Sequence, residues 1–177
     1  MSLDDWWQIV EQARSTVDDA DDADTVADEV RLILQERDPE EVAALAQPLR
    51  DLLAASYNWE LWAAAYLING GASDDGFEYF RGWLITRGRD VFEQAVEDPD
   101  SLADVPAVRQ AAEEGYDLEC EDILGVVHAA YEDLTGEILP AGAYSVELPD
   151  LGPDWDFDDD EEMAQHLPRL SELFLEY

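Results

Sequence analysis

Residues 68–84 read INGGASDDGFEYFRGWL: two adjacent acids follow a pair of glycines, and four aromatic side chains then occupy seven positions. Just upstream, WELWAAAYLI (residues 59–68) is apolar nearly all round, the pattern of a helix at the centre of a fold. That helix must stop, and Asn69, Gly70 and Gly71 tolerate the left-handed backbone of a helix end. Ser73 then caps a second helix, whose free amides and positive dipole end suit Asp74 and Asp75 in its first turn. The stretch predicts a corner between two buried helices. In the second of these, Phe77, Phe80 and Leu84 share one face and Tyr79 and Trp83 another, so both faces need cover.

The same corner is the candidate functional site. Asp74 and Glu78 are four residues apart and Arg81 lies three beyond Glu78, a spacing that predicts an acid–arginine cluster on one helix face. An arginine lowers the pKa of the carboxylates beside it, which suits ion pairing better than general-acid chemistry. Asp74 and Asp75 point about 100° apart around a helix axis and make a poor chelating pair. Trp59, Trp62, Tyr66, Tyr79 and Trp83 crowd beside these polar groups, and apolar walls with a few polar groups describe a ligand pocket. The binding set for a small molecule or protein partner is therefore Asn69, Ser73, Asp74, Asp75, Glu78, Arg81, Trp62 and Trp83. No residue is assigned to catalysis or to a metal, and no cofactor is expected.

Charge narrows the function classes. Nine basic residues, all arginine, face forty-five acidic ones, for a net charge of −36. Such a surface repels phosphate backbones and anionic lipid, which excludes direct nucleic-acid and membrane binding. Acids run through nearly every segment, which favours a general solubility habit over one dedicated acidic face. The 177 residues, 47% of them apolar, are enough for a substantial core and argue against wholesale disorder. Cys120 is the only cysteine, so there is no intrachain disulfide, and its neighbours Glu119 and Glu121 oppose thiolate formation. The N-terminus has neither a basic flank nor an apolar run, and no apolar run approaches a membrane span, so the expected location is cytoplasmic.

Helical spacing dominates the chain and strand-like alternation is scarce. Helices are expected over residues 4–17, 25–37, from Pro39 through a kink at Pro48, 59–68, after Ser73, around Val91, 106–114, across Ile123 to a terminator at Gly136, and 161–176. Asp38 with Pro39 is a strong helix start. The fold expectation is all-α: a single-domain bundle of seven to nine short helices over residues 1–140, with an acidic extension, residues 141–177, that ends in a helix.

Other candidates carry less. His128 sits among apolar residues in VVHAAY and reads as a core or boundary histidine. Glu162 and His166 are four apart, yet no second histidine completes a zinc pattern. Asp154, Asp156 and Asp158 match the first three spacings of a calcium loop, but Asp159 stands where glycine is needed and Gln165 where glutamate is needed. Nucleophile elbow, phosphate loop and dinucleotide fingerprint are absent from the sequence.

The run WELWAAAYLINGGASDDGFEYFRGWLITRGRDVFEQAVEDPDSLAD, with LECEDIL at residues 118–124 and AAYEDLTGEILP at residues 129–140, resembles a bacterial family known as domain of unknown function 4240. The similarity covers roughly residues 3–140. Its recurring signature matches Asn69, Gly70, Gly71, Ser73, Asp74, Asp75, Phe77, Phe80, Arg81, Trp83 and Leu84. The resemblance implies that this corner matters, for folding or for binding, and brings no activity with it. The functional expectation is a non-enzymatic binding module. Its rivals are a carboxylate- or metal-dependent enzyme at the same corner and an acidic inhibitor or immunity-type protein for a basic partner.

Overall fold

Capping chemistry sets the helix boundaries. The computed structural model describes residues 1–175, and every regular element there is helical. Helix α1 (Leu3–Thr16) begins at a capping box in which Ser2 and Asp5 satisfy each other's backbone amides, and α2 (Ala23–Gln35) begins at Asp22. Two short helices follow, α3 (Pro39–Ala44) and α4 (Ala46–Ala55). The central pair is α5 (Trp59–Ile68) and α6 (Asp74–Thr86). Then come α7 (Arg89–Glu97), a 3₁₀ helix (Pro99–Asp104), α8 (Pro106–Glu114) and α9 (Asp122–Thr135). The extension adds α10 (Asp160–His166) and α11 (Pro168–Phe174).

Nine α-helices occupy residues 1–140, within the expected seven to nine, and among the described residues the extension carries two where one was expected; two of the expected helices divide. Instead of a kink there is a break at Leu45, three residues before Pro48. The proline has no N–H for the Ala44 carbonyl, and its ring crowds that carbonyl. At the other end, Pro168 pushes Leu167 out of helical geometry (φ −130°, ψ 65°), which separates α10 from α11. The expected last residue of that final helix, Glu176, lies outside the described residues. Asp38 takes the N-cap position of α3 as expected, but its side chain makes no capping hydrogen bond; Pro39 sets the start.

Helix α2 packs along α9, with α1 and α3 flanking the pair; α6 crosses α9, and α5 lies between α6 and α11. Trp6, Phe77, Phe80, Leu61 and Ile123 are fully enclosed in one hydrophobic cluster, and Met163, Leu167 and Leu170 of the extension join it. No helix among the described residues is long and apolar enough to cross a membrane.

One close approach positions α6. The segment between α8 and α9, residues 116–121, has no regular secondary structure and runs against it. Cys120 donates its amide to the Tyr79 carbonyl at 3.0 Å. One turn on, a Cβ placed on Gly82 would stand 2.2 Å from the Cys120 carbonyl oxygen and 3.1 Å from Ile123. Only glycine admits a backbone at that distance. Asn69 fixes the other end of the same segment, since its amide accepts from Leu118 N at 2.9 Å and donates to Leu118 O at 3.2 Å.

Gly82→Ala should therefore destabilise the protein by about 1–3 kcal/mol, since backbone rather than a flexible side chain has to yield. Gly125 in α9, where an added Cβ meets nothing within 4 Å, supplies the contrast. Gly125→Ala should raise stability by roughly 0.5–1 kcal/mol through helix propensity alone. Denaturant melts of both variants check this, and equal effects would show that the Gly82 contact is not tight.

Candidate functional site

The corner forms by the expected capping chemistry. The α5 chain end turns through Gly70 (φ 66°) and Gly71 (φ 129°), and Gly71 N returns a 2.7 Å hydrogen bond to the Tyr66 carbonyl. Ser73 Oγ accepts from Gly76 N at 3.1 Å, and Asp74 and Asp75 stand exposed in the first turn of α6. Asn69 is committed to the backbone of Leu118 rather than open to solvent.

Arg81 corrects the expected acid–arginine cluster. Its side chain turns inward and is 5% exposed. Nη1 donates to the Leu53 carbonyl at 2.6 Å in the last turn of α4, and Nε reaches the Phe77 carbonyl at 3.4 Å. The guanidinium lies 4.5 Å from the Phe77 ring centroid and 5.2 Å from that of Tyr57. A helix C-terminus carries negative dipole charge and unmet carbonyls, and two ring faces add attraction. Those acceptors outcompete exposed Asp74 and half-buried Glu78 for the cation. Burial brings the Arg81 pKa down to about 10, with nearby Glu78 opposing the shift, so the residue stays charged at neutral pH.

The expected aromatic crowd divides. Trp59, Trp62 and Tyr66 form one stripe along α5, and Trp62 Nε1 donates to the Ala72 carbonyl at 3.0 Å. Trp83 is buried against Phe80 on one side and the Arg87 guanidinium on the other. Tyr79 faces a third direction. Trp62 and Trp83 thus line different hollows instead of one pocket.

On the Tyr79 side lies a cleft of about 540 Å³ between α2, α4, α6 and the start of α9. Asp28, Glu78, Glu121 and Asp122 bring four carboxylates to it, against Arg31 and Arg50. Arg31 is already engaged: its Nε and Nη2 make a two-pronged pair with Asp133 at 2.7 and 2.8 Å. Arg50 packs its guanidinium 4.8 Å over the Tyr144 ring and has no carboxylate within ion-pair distance among the described residues. The resulting field is negative. Glu121 foremost, with Asp75 and Glu78, raises the pKa of the Tyr79 phenol. Gly125 leaves the α9 backbone bare on the cleft floor.

Of the eight residues singled out in the sequence, only Glu78 lines this cleft, with Asp75 contributing to its field. Asp28, Arg50, Glu121 and Asp122 escaped sequence reasoning because they are scattered over nearly a hundred positions. The one available signal was the family-like LECEDIL run, which supplies Glu121 and Asp122.

The remaining candidates are structural. Cys120 is buried, and its pKa is pushed up to about 12, chiefly by that burial. His128 meets the edge of Tyr144, and burial followed by the Arg50 charge lowers its pKa. His166 Nδ1 lies 2.7 Å from Glu60 Oε1, while Glu162 accepts from Asp156 N, so the two do not converge on one ligand. Among the described residues no three His, Cys, Asp or Glu side chains gather closely enough to hold a metal ion.

The chain belongs to the family described as "Protein of unknown function (DUF4240)", whose profile matches residues 1–133. No curated protein and no solved structure matches it.

The corner residues should separate by role. Asn69→Ala leaves the buried Leu118 amide and carbonyl without partners and should cost about 1–3 kcal/mol. Asp74→Asn and Asp75→Asn should each keep the melting temperature within about 2 °C, because an exposed first-turn charge is worth little. Thermal melts decide, and equal losses at all three positions would mean that the acids are structural too.

Proposed function

We propose that this chain is a non-enzymatic binding module of the cytoplasm whose α6–α9 cleft receives a positively charged group, an arginine or lysine side chain, from a protein partner. The observation that carries the reading is the gathering of Glu78, Glu121, Asp122 and Asp28 around one open cleft whose nearest arginines are turned to Asp133 and Tyr144. A cation entering there sits in the combined field of these carboxylates, near the Tyr79 phenol. Asp75, exposed one turn before Tyr79, extends the negative field to the approach.

Clustered acids do more than a diffuse charge. A surface carrying −36 attracts any basic molecule over a Debye length of about 10 Å at 0.1 M salt, with little preference for place. A concave site also fixes orientation and excludes wrong partners. The reading keeps Glu78 and Asp75 from the corner and adds the start of α9 as the facing wall.

The test compares two double variants of equal charge. Binding of a fluorescent arginine-containing peptide is measured by anisotropy at low and high salt. Glu78→Gln with Glu121→Gln should weaken binding by about tenfold at low salt, whereas Asp18→Asn with Asp19→Asn, which do not line the cleft, should change it less than about twofold. Equal losses in the two variants would show that the whole surface, not the cleft, does the binding.

A further inference from the structure

A second surface is built on α5. Trp59, Trp62 and Tyr66 fall at positions i, i+3 and i+7, one stripe of the helix. Trp59 stacks on Trp62 with ring centroids 5.3 Å apart, and Trp62 stacks on Phe77 at 4.8 Å, so an aromatic ladder runs from the surface into the core. Its outer end is covered by the extension. Phe157 sets its ring 5.9 Å from Trp59 and 5.6 Å from Tyr66, and Trp155 packs edge-on against Phe157. Trp59 Nε1 donates to the Gly152 carbonyl at 3.1 Å, and the Tyr66 hydroxyl donates to Asp158. The ladder belongs to the matched family region, and its cover lies beyond residue 133.

The cover is lightly held. Residues 152–158 contain no helix, and α5, whose backbone is already paired internally, offers them side chains alone. The Trp155 indole N–H is buried with no acceptor among the described residues, which disfavours the covered state. Trp155 is steadied from outside by His166, stacked at 4.0 Å and 7°, which in turn meets Glu60.

We infer that the Trp59–Trp62–Tyr66 face is a peptide-recognition groove and that residues 152–158 are its intramolecular occupant, displaced by an extended partner peptide with two aromatic side chains two positions apart. The strap displays what the groove reads: Trp155 and Phe157 for the rings, a backbone carbonyl for Trp59 and an acceptor for Tyr66. Its other acids are not read. Asp156 folds back to accept from Asp158 N at 2.9 Å, and no arginine pairs with Asp154 or Asp156 among the described residues. A partner without those charges escapes repulsion by a −36 host, which favours a neutral or basic segment over the strap's own composition. It must still overcome a tethered competitor at an effective concentration of order millimolar.

The probe is a labelled peptide spanning residues 150–159 with Asp154→Asn and Asp156→Asn, titrated into the full chain. The double variant Trp155→Ser with Phe157→Ser should bind it one-to-one at least about tenfold more tightly than the unaltered chain, because the tethered competitor is gone. Adding Trp59→Ala should remove that binding. His166→Ala, which loosens the strap without touching the groove, should by itself raise probe affinity about threefold or more. Equal binding to the unaltered and double-variant chains, indifference to Trp59→Ala, or loss of cooperative melting in the double variant would each overturn the inference. So would a dimer of the unaltered chain that the double variant abolishes, since the strap would then be an exchange element between copies.

Discussion

The fold and the cleft both depend on two backbones lying closer than side chains normally allow. Residues 116–121 rest on α6 where Gly82 has no side chain, with Cys120 N bonded to the Tyr79 carbonyl and Asn69 holding Leu118. That seat decides where α9 starts. It sets Glu121 and Asp122 opposite Glu78 and Tyr79, and the space left between them and α2 is the acid-lined cleft. The corner at Asn69 shapes the cleft through this seat: Asn69 holds the facing wall, whereas the acids that follow it contribute only their charge.

Arginine use follows from the same economy of internal polar groups. In a chain with forty-five acids, ion pairs with carboxylates are available everywhere on the surface. Yet Arg81 goes to the end of α4, and Arg14 donates to the Thr86 carbonyl at 2.7 Å at the end of α6. Buried helix ends present carbonyls that no N–H of their own helix can reach, and a guanidinium with five donors meets them at the negative end of the dipole. Arg87, also buried, stacks on Trp83 and shares its donors between Thr86 and Asp21. Arg14 and Arg81 thus hold helix termini, and the burial of Arg81 and Arg87 withdraws positive charge from the surface and leaves the outside field still more negative.

The sequence made the helices legible and the contacts between them much less so. The expected bounds of α5 and α8 match the observed ones, because Asn58, Pro106 and Gly115 act locally on the backbone. Pro48 was legible as a kink, whereas the final helix was expected to run unbroken over residues 161–176 and Pro168 divides it; whether a proline bends or severs a helix depends on the packing around it. Arg81 was misread because its helix-face neighbours are acids, while its true acceptor, Leu53 O, is twenty-eight residues away. The cleft was illegible for the same reason: Asp28, Arg50, Glu78 and Glu121 become neighbours only when α2, α4, α6 and α9 assemble. Gly82, one glycine in a helical run, gave no sign in sequence that a second backbone needed its space.

The most direct measurement of this account is the ionisation of the Tyr79 phenol, followed by NMR titration with site-selective labelling. With residues 118–121 seated on α6, the Glu121 carboxylate lies beside Tyr79, so the phenol should titrate above the ordinary tyrosine value of about 10 and move back toward it in Glu121→Gln. A Tyr79 that titrates like a free tyrosine and ignores Glu121→Gln would mean that the segment is not seated there, and that the cleft as described does not exist.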